Sequence, residues 1–77
     1  MMTQTNLAIN VSLNLGETKT VSGIKFCVKS NSGGSSLYYF NNGKWSLLRL
    51  VRPYNGVVRM LHSDVQTAQL WIRELGK

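Results

Sequence analysis

Leu7, Ile9, Val11, Leu13 and Leu15 alternate with Ala8, Asn10, Ser12 and Asn14. A period of two puts every second side chain on one side of a pleated strand, so this stretch predicts a strand with one face on a core. Gly16-Glu17-Thr18 reads as a turn, and a second strand is predicted over Thr20–Ser30. There Ile24, Phe26 and Val28 point one way and Lys25, Cys27 and Lys29 the other, so two cations share an outer face. Asn31-Ser32-Gly33-Gly34-Ser35 has the composition of a flexible loop.

Ser36–Phe40 predicts a short strand and Lys44–Arg52 its returning partner, joined through Asn41-Asn42-Gly43. Asn-Gly between two apolar runs is the strongest short hairpin signal. Strict alternation sets Trp45, Leu47, Arg49 and Val51 on one face and Ser46, Leu48, Leu50 and Arg52 on the other. Both faces are partly apolar, which predicts a central strand covered on both sides. Pro53-Tyr54-Asn55-Gly56 is a turn: proline pre-sets φ, and Asn-Gly takes left-handed positions readily. Val57–Leu61 is the last predicted strand, with Arg59 facing opposite to Val58 and Met60.

The chain then changes period. Val65, Ala68, Trp71, Ile72 and Leu75 recur at helical spacing and form one apolar stripe. Ser63 and Gln66 fit a capping box, Asp64 complements the positive end of the helix dipole, and Arg73 and Lys77 complement the negative end. Gly76 is the expected terminator. A helix over about Ser63–Leu75 would cover one sheet face, which a lone sheet in a short chain needs. The expected fold is α+β: an antiparallel sheet of four to five strands with one C-terminal helix packed on it. A small five-stranded barrel with a terminal helix is the nearest alternative, because short strands and Gly-rich turns suit it too.

Composition narrows the class. Seventy-seven residues make a single small basic domain, residues 1–77, with 43% hydrophobic and 16% charged positions, too apolar for a disordered tail. If one helix covers one face, some of Leu48, Leu50, Val58 and Met60 need other cover, which pairing into a homodimer would supply. Cys27 is the only cysteine, which excludes an internal disulfide and a cysteine-based zinc site. No stretch reads as a signal peptide or membrane span, so a cytoplasmic protein without membrane association is expected.

Charge supplies the functional lead. Lys19, Lys25, Lys29, Lys44, Arg49, Arg52 and Arg59 follow one another without an intervening Asp or Glu, and the net charge is +6. Glu17, Asp64 and Glu74 lie outside that stretch. A foldable segment charged with one sign repels itself, and the usual compensation is an anionic partner, nucleic acid or an acidic protein surface. Lys25, Lys29, Lys44, Arg49, Arg52 and Arg59 are the expected contacts, with Tyr38 and Tyr54 as stacking or packing adjuncts. Replacing Arg49 and Arg52 together is expected to weaken binding while the fold is retained. Tyr38 and Tyr39 are neighbours in a strand, so only one of them can face the core; Trp45 and Trp71 both read as core residues.

Chemistry other than binding finds little support. His62 is the only histidine and reads as a turn residue before the helix; paired with one distant cysteine it makes neither a catalytic constellation nor a metal site. Gly33-Gly34 lacks the spacing of a phosphate-binding loop. The expectation is a non-enzymatic module without cofactor or metal that binds nucleic acid, led by the backbone and weakly sequence-specific. The alternative is a small inhibitor or adaptor of phage or mobile-element type, engaging an acidic surface or a nucleic-acid groove on a larger host complex.

From Ser36 onward, the order strand, Asn-Asn-Gly hairpin, strand, Pro-Tyr-Asn-Gly turn, strand and capped helix resembles the DNA-binding domains built of a three-stranded sheet and a helix. Examples are the arm-binding domains of phage-type integrases and a small bacterial cell-division activator. The resemblance covers about half the chain and rests on element order alone. It implies DNA contact through the sheet face by Tyr38, Lys44, Arg49, Arg52 and Arg59.

Overall fold

Among the described residues, three pairs of adjacent residues with positive φ turn the chain: Ser22-Gly23 (52° and 80°), Asn42-Gly43 (54° and 78°) and Asn55-Gly56 (53° and 76°). Positive φ at both central positions defines the type I′ turn, whose twist matches that of antiparallel strands. Two of these are the Asn-Gly signals of the sequence. Ser22-Gly23 splits the predicted Thr20–Ser30 strand into a hairpin.

The computed structural model describes residues 8–31 and 34–75. Leu7, the Ser32-Gly33 centre of the expected loop, Gly76 and Lys77 lie outside the described residues. In chain order the elements are β1 (Ala8–Asn14), β2 (Thr18–Val21), β3 (Ile24–Asn31), β4 (Gly34–Asn41), β5 (Lys44–Val51), β6 (Val57–Leu61) and α1 (His62–Leu75). Thr18 is thus a strand residue rather than part of a turn. The expected loop over Asn31–Ser35 contracts as well, because Asn31 pairs with Gly34 and Ser30 with Ser35.

The fold is α+β. Strands pair as an antiparallel four-stranded sheet, β2-β3-β4-β5, and a separate pair, β1-β6. The sheet is not closed into a barrel. Leu15 and Gly16 tie the two together: Leu15 N–H donates to the Gly56 carbonyl and Gly16 N–H to the Val28 carbonyl. Because β6 pairs with β1, the last three strands do not make the three-stranded sheet that the element order suggested.

One face of the large sheet, with Ile24, Phe26, Val28, Leu37, Tyr39 and Leu48, packs on Leu13, Val58, Met60, Val65 and Ala68. The β1-β6 pair and α1 therefore cover the same side. The helix faces that core with the predicted stripe: Val65 and Ala68 are buried, Trp71 and Ile72 pack at its margin, and the Trp71 ring lies 6.1 Å from that of Tyr39.

β5 departs from expectation in two ways. It is an edge strand rather than a central one. It also carries a bulge: Leu37 pairs with Arg49 but Tyr38 with Leu47, leaving Leu48 as the extra residue. The insertion turns Leu48 into the core and shifts the alternation, so Arg49 and Val51 share the helix side while Leu47 and Leu50 stand 52% and 75% exposed. Of the four apolar residues expected to need cover, Leu48, Val58 and Met60 find it within the chain, and Leu50 does not.

The helix starts at His62, one residue before the predicted N-cap. Its cap is Asp64: the carboxylate accepts the Leu61 backbone N–H at 2.9 Å and two guanidinium bonds from Arg49, at 2.5 and 2.8 Å. A third-position carboxylate reaching back to the N-cap N–H is half of a capping box, and here β5 supplies its countercharge.

Candidate binding surface

Alternation along β3 sends Lys25, Cys27 and Lys29 to the side opposite the helix. Register adds the aromatics. Cys27 pairs with Tyr38, so Tyr38 and Phe40 of β4 join that face, and the Asn42-Gly43 turn places Trp45 opposite Phe40. Among the described residues no element packs across this side. Three half-buried rings and two exposed lysines thus form an open platform on β3, β4 and β5.

The groups on it touch. Phe40 and Trp45 meet edge to face, centroids 5.0 Å apart at 65°. The Lys25 Nζ lies 5.5 Å from the Phe40 centroid, and the Lys29 Nζ lies 5.5 Å from Tyr38 and 5.6 Å from Trp45. A cation over an exposed ring contributes about 0.5–1 kcal/mol. No carboxylate stands between Thr18 and Arg59 to neutralise these lysines. Lys44 is exposed next to Trp45, at the end of the platform marked by the Asn42-Gly43 turn.

Cys27 is part of this face yet only 3% exposed, lying in register between Thr18 and Tyr38. Burial pushes its thiol pKa above the ordinary value, against the opposing pull of the Lys29 charge.

The other sequence-predicted residues divide. Arg52, Tyr54 and Arg59 gather with Ser12 and Val57 around a cavity of about 330 Å³ on the outer side of the β1-β6 pair. Arg52 also lines a groove of about 590 Å³ at the β4-β5 edge, together with Arg49, Leu50 and Pro53. Arg49 has a different occupation. Its guanidinium is bound to Asp64 on the helix side, and the Asp64 hydrogen bond holds its pKa above the ordinary value, ahead of the opposing burial. It belongs to the frame, away from Lys25 and Lys29.

Phe40 was missed in the sequence, and Trp45 was assigned to the core. The signal existed: a two-residue turn at Asn42-Gly43 pairs the second residue before it with the second after it, Phe40 with Trp45. Period two then adds Tyr38. His62 is exposed in the first turn of α1. Among the described residues, no three His, Cys, Asp or Glu side chains gather into a group that could hold a metal ion, and no helix is long and apolar enough to cross a membrane.

Comparisons with protein-family models, with curated proteins and with solved structures gave no match to this chain.

Proposed function

We propose that the chain is a nucleic-acid-binding module whose contacts are led by the phosphate backbone and only weakly sequence-specific. The observation that carries this reading is the open sheet face, where Lys25 and Lys29 stand among Tyr38, Phe40 and Trp45 and, among the described residues, neither lysine is paired with a carboxylate. Lysines on strand faces and turn ends supply phosphate contacts that position a strand without reading it. Lys44 is an exposed cation that alternates to the other side of β5 from Trp45, and Arg52 and Arg59 form a separate exposed pair on the outer side of the β1-β6 pair, so the reading rests first on Lys25 and Lys29. The α1 surface offers Gln66, Gln69 and Arg73 to solvent but has no free apolar or basic stripe that would make it a groove-reading helix.

Fluorescence anisotropy with labelled oligonucleotides across a salt series tests this. Four neutralised phosphates give a slope of log K against log salt near −3, an affinity loss of about 50-fold between 50 and 200 mM. The double variant K25A/K29A should lower the affinity several-fold and flatten the slope by about two phosphates. Binding that ignores salt, or a K25A/K29A protein that is folded and binds as wild type, removes the proposal.

The exposed Leu47 and Leu50 beside the platform favour a second reading, an adaptor or inhibitor docking on an acidic protein surface. A partner captured from lysate that survives nuclease treatment supports that reading, and one lost with nuclease supports the first.

A further inference from the structure

The platform has a geometry that bears on which form of nucleic acid it takes. Resting on the proposed nucleic-acid reading, we infer that the β3-β4-β5 face is a site for unpaired strands, with bases stacking on Tyr38, Phe40 and Trp45 and phosphates taken by Lys25 and Lys29.

Spacing is the first reason. Tyr38 and Phe40 lie two residues apart on one strand, about 6.7 Å, twice the rise of about 3.4 Å between stacked bases. Bases meeting both rings must therefore be unstacked from one another. A single strand splays its bases at little cost, whereas a duplex must first be opened. The second reason is shape. The face is a sheet surface with its rings half-exposed and no protruding helix, so a duplex laid on it would bring phosphates near the lysines and leave the rings unused.

The third reason is what occupies the rings in the free protein. Lys25 and Lys29 rest their ammonium groups over Phe40, Tyr38 and Trp45 at 5.5–5.6 Å. An arriving base takes over the ring face, and the displaced ammonium, on a flexible four-carbon stem, swings to the phosphate of the same or the neighbouring nucleotide. Each lysine exchanges a weak ring contact for a charge contact. The lysines thus occupy the ring faces until a ligand with both a flat apolar base and a phosphate arrives. Charge complementarity follows from the absence of any carboxylate between Thr18 and Arg59.

The test compares 15-nucleotide dT and rU strands, and mixed-sequence strands, with 15-base-pair duplexes at one salt concentration, using the unaltered protein. Single strands should bind at least tenfold tighter, since stacking on one ring contributes about that factor. Y38L and F40L should each lose roughly tenfold for single strands and leave duplex affinity unchanged. In a W71F background the remaining Trp45 emission should be quenched as single strands bind. The preference of the unaltered protein decides even if a variant fails to fold. Equal affinity for duplex and single strands, with Trp45 emission unmoved, overturns the inference and leaves nucleic-acid binding standing. Binding of neither overturns both.

Discussion

Arg49→Ala removes one partner from the Arg49–Asp64–Leu61 junction, and the structure gives the size of the effect. Asp64 is 2% exposed and keeps only the Leu61 N–H when the guanidinium is gone. Breaking a buried pair by removing one partner costs roughly 3–5 kcal/mol, because the other charge is stranded. The side chain of Arg49 is 35% exposed, so water reaches the site and the low end, about 3 kcal/mol, applies. Asp64→Ala is milder: the cap costs about 1 kcal/mol and the charged bonds another ~1.5 kcal/mol, but the stranded arginine rehydrates. A domain of 77 residues has roughly 4–12 kcal/mol of stability in total, so Arg49→Ala takes a large share. Urea and thermal unfolding, followed by circular dichroism, should show a midpoint lower by roughly 12–24 °C, at about 4–8 °C per kcal/mol. In the D64A background the same Arg49→Ala change should cost under about 1 kcal/mol, a coupling near 2 kcal/mol. Additive single and double variants, or an Arg49→Ala protein within about 0.5 kcal/mol of wild type, would refute the reasoning. Replacing Arg49 and Arg52 together is therefore a test of folding before it is a test of binding, in place of the retained fold expected from sequence; K25A/K29A touches neither partner of the Arg49–Asp64 pair.

The bulge in β5 separates two leucines that strict alternation puts together: Leu48→Ala should cost about 2–4 kcal/mol and Leu50→Ala less than about 0.5 kcal/mol, by denaturant titration. Gly23→Ala should destabilise by about 1 kcal/mol, since φ of 80° suits glycine and open space around the position leaves backbone strain as the cause; an unchanged denaturation midpoint would argue against the turn. Cys27 should react with a thiol reagent far more slowly in the folded than in the urea-unfolded chain. Because its folded pKa is raised, stability should be complete below the unfolded thiol pKa of about 8.5 and fall as pH rises above it, a loss absent from Cys27→Ala.

Features written in single residues or local period were legible in the chain. Asn42-Gly43 and Asn55-Gly56 announced their turns because few residues tolerate two successive positive φ values, and Lys25 and Lys29 fell on one face by alternation alone. Ser22-Gly23 carried the same geometry with a weaker marker, and the surrounding Ile24-Phe26-Val28 alternation made one long strand look continuous. The bulge at Leu48 leaves no mark in composition, since it arises from how β5 registers on β4, and within β5 it inverts the faces of Arg49, Leu50 and Val51 relative to Trp45 and Leu47. The helix cap was placed at Ser63 because that motif is local; the cap that formed depends on Arg49, brought from a strand fifteen positions earlier. The site residues split for the same reason. Whether Arg49 or Lys25 is free depends on which sheet face the helix takes, a property of the whole fold.

The bulge at Leu48 also bears on how readily the edges of the sheet could pair with another strand. A sheet with open edges invites a second copy to add its own strand, and an exposed aromatic face adds to that risk. Here β5 is kinked by its extra residue, begins at exposed Lys44 and runs out into Pro53, which has no N–H to offer. The opposite edge, β2, is only four residues long and carries Lys19. Both rims are therefore poor templates for fibre growth. An open face of half-buried rings thus sits in a sheet whose two edges are each ill-suited to pairing with another strand.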